Sequence, residues 1–513
     1  MSTSGMSSGA PSPIWEGATF PGFGEDAPLN LPELSDKATR GLSARVADRS
    51  WDAFSDALTS ARFCTHPVRL RGRVHEIDSA TGEARLVFDS TDSPLGQVFK
   101  PCGNRREHVC PSCSRLYARD TFEVIRTGVQ GGKQVPETVA DNPLLFVTLT
   151  APSFGFVHAT SDRACRPRRR DDHTRCPHGR PTWCHAHHTD DDKGGTPLCD
   201  ECYDYATHVV WQWWAPELWR RFTMNVRRAL ARRLSVSDSG LKERASIQFA
   251  KVAEYQARGA IHFHALLRLD GPADAGIGSP APHGISAADL RDIVNDAAST
   301  VRFTAPPVFD GDTARHLALG AQLDVRIVRA ARRTDDPDGA LSAGQVAGYL
   351  AKYATKDATN AGGRERRPTP HMRQLRHTCQ TLYERSLDTW TTADNPYLLL
   401  GKWEHALGFR GHFSSKSRRY SVTLGALRRA RARWHRVTAD AAQRGETLDV
   451  AEVERRLLAE DDDTTLVVGE WSFAGTGWPN PGDAELAAAA AARAREYDQW
   501  RADNKTERTR EDQ

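Results

Sequence analysis

The sequence predicts an α+β protein whose core is a central antiparallel sheet flanked by helices, with zinc-binding insertions. Three observations predict it. Two apolar runs, ASIQFAKVAEYQ (245–256) and GAIHFHALLRLDG (259–271), are joined through Ala257, Arg258 and Gly259, a connection short enough only for adjacent antiparallel strands. NPLLFVTLTAPSFG (142–155) is a β-branched and aromatic run closed by Pro and Gly, which reads as a further strand. Helical periodicity fills WQWWAPELWRRFTMNVRRALARRL (211–234) and SAGQVAGYLAKYATKDATN (342–360), so strands and helices are both well represented.

In chain order, residues 1–60 are expected to be disordered or weakly ordered, because the first 30 or so are rich in Gly, Ser and Pro. Residues 61–140 form a Cys-rich module of short strand-like runs (VRLRGRVHEI, ARLVFD) leading into a cysteine knuckle and a helix. Residues 141–360 form the core, interrupted at about 160–205 by an insertion rich in Arg, His and Cys. The tryptophans of 211–234 lie at roughly helical spacing and are read as core rather than as a base-stacking platform. Residues 361–445 form a basic helical region with a break at GFRGHFSSKSRR (408–419), and 446–513 a helical, charged tail.

Composition sets limits. The hydrophobic fraction of 39% is ordinary for a water-soluble chain, and no run of about 18 apolar residues offers a membrane span. A cytoplasmic protein without membrane partners is expected. Net charge is only +3, since 69 Lys and Arg face 66 Asp and Glu. Local charge is another matter, because 164–180 and 415–436 concentrate arginine, the side chain best shaped for phosphate. Arg418, Arg419, Arg428 and Arg429 are the candidate DNA-binding residues, against the plainer reading of a solvated face.

The chemistry concentrates at His262 and His264. Side chains alternate along a strand, so the two imidazoles share a face and Phe263 points away. Alone, such a pair is a weak signal and is better explained by satisfied packing. Glu254, eight residues earlier on the preceding strand, would complete a two-His, one-carboxylate face suited to Mg²⁺ or Mn²⁺. The helix GYLAKYATK carries Tyr349 and Tyr353 four apart, on one face, each followed three residues later by a lysine, Lys352 and Lys356. FVTLT (146–150) places Thr148 and Thr150 on one face and is expected at the sheet centre beside the histidine strand.

A strand like FVTLT, then His-hydrophobe-His, then a Tyr-x-x-Lys helix resembles the HUH endonucleases that initiate rolling-circle replication. Within that group EYQARGAIHFHALLRLDG and AGYLAKYATKDA look like the RepSA-like initiators of actinobacterial plasmids and integrative elements, and CGNRREHVCPSCS, GTPLCDECYDY and GFRGHFSSKSRRYSVTLGALR extend the likeness over most of the chain. The resemblance implies an RRM-like or palm-like sheet and a divalent ion on His262, His264 and Glu254. It implies Tyr353 at the nucleophile position, beside Lys352 and Lys356. Where small plasmid initiators often carry a glutamate, this chain has Tyr349, so the order of the tyrosines stays open. The implied activity is site- and strand-specific nicking and rejoining of single-stranded or extruded plasmid origin DNA through a 5′-phosphotyrosine, without ATP, with host helicase and DNA polymerase as partners. A relaxase, a single-strand transposase and a non-enzymatic zinc-containing DNA-binding regulator are the alternatives.

The ten cysteines carry a second theme, since nine fall within the first 202 residues. Cys199 and Cys202 form a close pair, which Cys176 and Cys184 could complete as a structural zinc site, with His178, His185, His187 or His188 as substitutes. A second set is Cys102, Cys110 and Cys113 with Cys64 or His108, while Cys165 reads as a spare and Cys379 as a lone buried thiol.

Overall fold

The computed structural model describes residues 35–78, 81–93, 95–159, 164–167, 175–188, 193–329, 341–354, 369–444 and 465–511. The chain divides into two units, Met1–Arg115 with Asp461–Gln513, and Leu116–Glu460.

The first unit opens with α1 (Asp36–Ala47) and α2 (Trp51–Ser60). The weakly ordered region expected to residue 60 therefore holds two helices in 36–60, while residues 1–34 lie outside the described residues. The cause is local. Ser35 caps α1 by accepting from the Ala38 amide, and one-turn spacing gives each helix an apolar stripe, Ala38 and Leu42 on α1, Phe54 and Leu58 on α2. Strands β1 (Val68–Asp78), β2 (Ala84–Asp89) and β3 (Val98–Lys100) follow, β2 and β3 both antiparallel to β1.

The second unit is α+β. Its helices are α3 (Pro111–Gln130, which starts in the first unit), α4 (Tyr205–Arg233), α5 (Ala287–Ser299), α6 (Ala343–Ala354), α7 (Pro370–Thr389) and α8 (Leu424–Arg444). Its strands are β4 (Leu144–Leu149), β5 (Ser246–Tyr255), β6 (Ile261–Asp270), the outlying pair β7 (Arg302–Ala305) and β8 (Arg315–Ala318), then β9 (Leu323–Arg329), β10 (Leu341–Ser342) and β11 (Ser414–Lys416). Six of them form one sheet in the order β10-β9-β4-β6-β5-β11, antiparallel throughout except β10 against β9.

Alternation sorts the two faces of this sheet. Leu145, Val147, Leu149, Ala253, Phe263 and Ala265 pack with Trp211, Trp213, Trp219 and Phe222 of α4, so the tryptophans are core. Leu144, Phe146, Ala250, Val252 and Leu266 face the other way, onto Ile125 and Val129 of α3 and Val346, Ala347 and Leu350 of α6. The break read at 408–419 contains β11, which adds an edge to the sheet by pairing Ser414–Lys416 with Ala250–Val252.

The chain then returns to the first unit with β12 (Thr465–Thr476), antiparallel along the whole of β1, and the terminal helix α9 (Pro481–Glu511). The tail expected to be helical over 446–513 thus contains a strand, consistent with the β-branched and aromatic run TLVVGEWSF, while residues 446–464 lie outside the described residues. Arg45 of α1 clamps the buried Asp483 of α9 at 2.7 Å. Among the described residues, no helix is long and apolar enough to cross a membrane.

Candidate active site

The β5–β6 hairpin builds the site. Its turn closes through Gly259, whose φ of +78° only glycine adopts without cost, and whose missing Cβ would sit 3.0 Å from Met372, Leu375 and Leu407. Arg258, beside it, donates to the carbonyls of Ala151 at 2.9 Å and Pro152 at 2.8 Å, tying the turn to the end of β4. The register that follows pairs Glu254 with His262 and Val252 with His264.

These side chains converge. Glu254 Oε2 lies 3.1 Å from His262 Nε2 and 3.2 Å from His264 Nε2, and the two imidazole nitrogens are 3.2 Å apart. His264 is 3% exposed, and burial lowers its pKa from the ordinary imidazole value against the opposing pull of Glu254. A neutral ring keeps a lone pair for a metal. Thr148, on β4, lies beside the ring with its Oγ1 3.1 Å from Nδ1; in the tautomer whose Nδ1–H donates to this hydroxyl, Nε2 is left bare toward Glu254 and His262. Phe146 stacks parallel to the His264 ring at 5.7 Å. Thr150, on the same face, donates to the Gln322 carbonyl at 2.6 Å and serves the sheet rather than the site.

Helix α6 lies over this face because Val346, Ala347 and Leu350 are buried against the sheet. That seating brings Tyr349 edge-on to His264, ring centroids 5.2 Å apart, with its hydroxyl 3.4 Å from Nε2. Tyr349 is 38% exposed. Lys352 and Tyr353 continue the backbone of α6, but their side chains, and all of Lys356, lie outside the described residues.

One neighbour escaped the sequence reading. Asp324 of β9 pairs in register with Thr148, and its charge acts on His264 in the direction that favours protonation. Alternation in LDVRIVR puts Asp324 on the polar side of a strand, but spacing alone does not reveal which strand lies next to it. Of the candidate DNA-binding arginines, Arg418, Arg428 and Arg429 are exposed and Arg419 is half-buried, while Arg431 is taken up by Asp120.

The cysteines form three groups. Cys64, Cys102, Cys110 and Cys113 of the first unit bring their sulfurs within 4.8 Å of one another, as expected. Cys176, Cys199 and Cys202 also gather, but their fourth partner is His178, not Cys184. Cys184 and the supposed spare Cys165 group instead with His158 and His188, because the bridge Arg166↔Cys184 draws those two segments together. His185 and His187 are exposed and in neither group, nor is His108 in the first, and Cys379 is a buried free thiol of α7.

Residues 50–492 match the family described as RepSA, replication initiator protein, pSAM2. A replication initiator protein from Streptomyces ambofaciens is 39% identical over 464 residues, covering 89% of this chain and 93% of that protein. No solved structure matches. With most of its length matched on both counts, the chain belongs to the RepSA family of replication initiator proteins.

Proposed function

We propose that this initiator cuts and rejoins one strand of its plasmid origin as an HUH endonuclease, beginning rolling-circle replication in the cytoplasm. The observation that carries the reading is the convergence of Glu254, His262 and His264 within 3.2 Å, with the Tyr349 hydroxyl 3.4 Å from His264 Nε2.

The three donors fit a divalent ion, two imidazole nitrogens and one carboxylate oxygen leaving other positions open. His262, His264 and Glu254 would hold Mg²⁺ or Mn²⁺, which when bound supplies Lewis-acid polarisation of a backbone phosphate. The residues do the rest. Tyr349 attacks the scissile phosphorus through its phenolic oxygen and gives up its proton. The bond from phosphorus to the 3′-oxygen breaks, leaving a 5′-phosphotyrosine and a free 3′-hydroxyl. Lys352 and Lys356 follow the tyrosines on the same segment and supply positive charge toward the phosphate. Because the phosphotyrosine retains the ester energy, rejoining needs no ATP, and Tyr353, one turn further along, receives the strand in the closing exchange.

The free 3′-hydroxyl primes a host polymerase, and a host helicase separates the strands. Arg418, Arg419, Arg428 and Arg429 hold single-stranded or extruded origin DNA by its phosphates. The cysteine groups hold structural zinc, closed by four protein ligands and so unsuited to the cleavage step.

The test is label transfer. Single-stranded origin DNA carrying radiolabel 3′ of the nick is incubated with the protein and Mn²⁺. Wild type yields a labelled protein band, Tyr349→Phe loses it, and His262→Ala/His264→Ala loses it while still binding DNA. A DNA-binding regulator without nuclease chemistry gives no band with any variant.

A further inference from the structure

Among the described residues, the insertion between β4 and α4 has almost no regular structure. Short bridges, Val157↔Pro197, Arg166↔Cys184 and Arg175↔Pro181, are its backbone pairing among the described residues. Yet eight of its His and Cys side chains gather in two sets of four among the described residues. His158, Cys165, Cys184 and His188 each bring a ligand atom within 4.8 Å of the other three, and so do Cys176, His178, Cys199 and Cys202.

The spacings within each set are those of a metal, not of disulfides, and all these cysteines are free thiols. Cys165 Sγ is 3.6 Å from His158 Nδ1, and Cys184 Sγ is 3.3 Å from His188 Nε2. In the other set His178 Nδ1 is 3.2 Å from Cys202 Sγ and 3.7 Å from Cys199 Sγ. A tetrahedral zinc with bonds of about 2.3 Å to sulfur and about 2.0 Å to nitrogen places such atoms about 3.6 Å apart. The Ala159 amide also donates to Cys165 Sγ at 3.1 Å, a bond that stabilises a thiolate.

We propose that this insertion binds two zinc ions in an interleaved pair, one on His158, Cys165, Cys184 and His188, the other on Cys176, His178, Cys199 and Cys202. Ligand pairs alternate along the chain, first and third for one ion, second and fourth for the other. The loops closed by the two ions therefore overlap, and neither half of the insertion opens without breaking both. Metal binding holds together a segment that has little backbone pairing of its own among the described residues. The insertion also abuts the active-site hairpin. A Cβ on Gly195, whose amide donates to His158 at 2.8 Å, would lie 2.3 Å from the carbonyl carbon of Ala257 in the β5–β6 turn. The zinc pair thus braces the turn that leads into His262.

The decisive variant is His158→Ala/Cys165→Ser in the full chain, with bound zinc measured by elemental analysis after removal of loosely held metal. Interleaving predicts loss of one zinc ion relative to wild type. A Cys₄ site built from Cys176, Cys184, Cys199 and Cys202 predicts no loss, and that result overturns the proposal. Should this variant fail to fold, cadmium-113 resonance of the cadmium-loaded wild-type chain reads the same claim, because the shift follows the number of thiolates. Interleaving predicts one two-thiolate and one three-thiolate resonance, and four-thiolate resonances alone overturn it. Neither readout involves DNA or Mn²⁺, so a failure here leaves the nicking reading standing, and the reverse holds too.

Discussion

Thr148→Val removes one hydroxyl and keeps a β-branched side chain of nearly the same shape in the centre of the sheet. The lost contact is that between Thr148 Oγ1 and His264 Nδ1, 3.1 Å long and sealed beneath a ring only 3% exposed. Water has little access to replace it. The buried Nδ1–H is left without its partner, a cost of about 1–3 kcal/mol, and the ring is free to adopt the tautomer that buries its lone pair away from Glu254. Loss of such a supporting contact lowers metal affinity by about 10–100-fold, or about 1.4–2.7 kcal/mol. The assay is DNA nicking as a function of Mn²⁺ concentration. Half-maximal Mn²⁺ rises by that factor while the rate at saturating Mn²⁺ returns close to wild type, since Thr148 touches neither substrate nor nucleophile. An unchanged Mn²⁺ dependence refutes the reasoning, and so does a loss that no amount of metal restores.

Lys251 is buried over the Phe263 ring at 4.6 Å, and desolvation pulls its pKa down to about 8. The unfolded chain holds that proton to about pH 10.4, so folding is penalised in full below about pH 8 and the penalty fades as pH rises through the interval. Lys251→Met accordingly stabilises the protein by about 1–3 kcal/mol at pH 7 and by almost nothing at pH 10.5, as urea unfolding at the two values measures. Arg268 is wholly buried against Asp270 at 2.6 Å and also donates to the Tyr420 carbonyl at 3.1 Å, so Arg268→Met strands a buried carboxylate. A loss of about 3–5 kcal/mol in urea unfolding is expected, and a neutral change contradicts the pairing. Arg428→Ala/Arg429→Ala leaves nicking of a saturating oligonucleotide intact but flattens the salt dependence of single-strand binding by about 1.4 in log–log slope, at about 0.7 per phosphate contact. An unaltered slope removes α8 from the DNA-binding surface.

What the sequence revealed, and what it hid, follow from the range of the interactions. The hairpin was legible because period-two alternation and a short turn leave one register that buries Phe263 and pairs Glu254 with His262. Tyr349 was legible as a candidate because α6 has a single apolar face, Val346, Ala347 and Leu350, which fixes what it turns toward the sheet. Asp324 was not, since its neighbour Thr148 lies 176 residues earlier and only strand order unites them. The strand β11 was hidden for a similar reason, being three residues of Ser, Ser and Lys whose only claim to a strand is an available sheet edge. Ligand allocation in the insertion was misjudged because residue spacing invited Cys184 to join Cys176, whereas a backbone bridge to Arg166 carries it to Cys165. Helices within 36–60 were missed because the Gly- and Ser-rich stretch before them dominated the composition.

The measurement that bears most directly on the whole account is the site of covalent attachment. Trypsin cuts after Lys352, separating the peptide 334–352, which contains Tyr349, from 353–356, which contains Tyr353. Protein reacted with origin DNA in Mn²⁺, then digested with nuclease and trypsin, is expected to carry a nucleotide phosphate on the 334–352 peptide at the first cleavage. A mark on 353–356 alone reverses the order proposed for the two phenols, and a mark on neither contradicts the account at its centre.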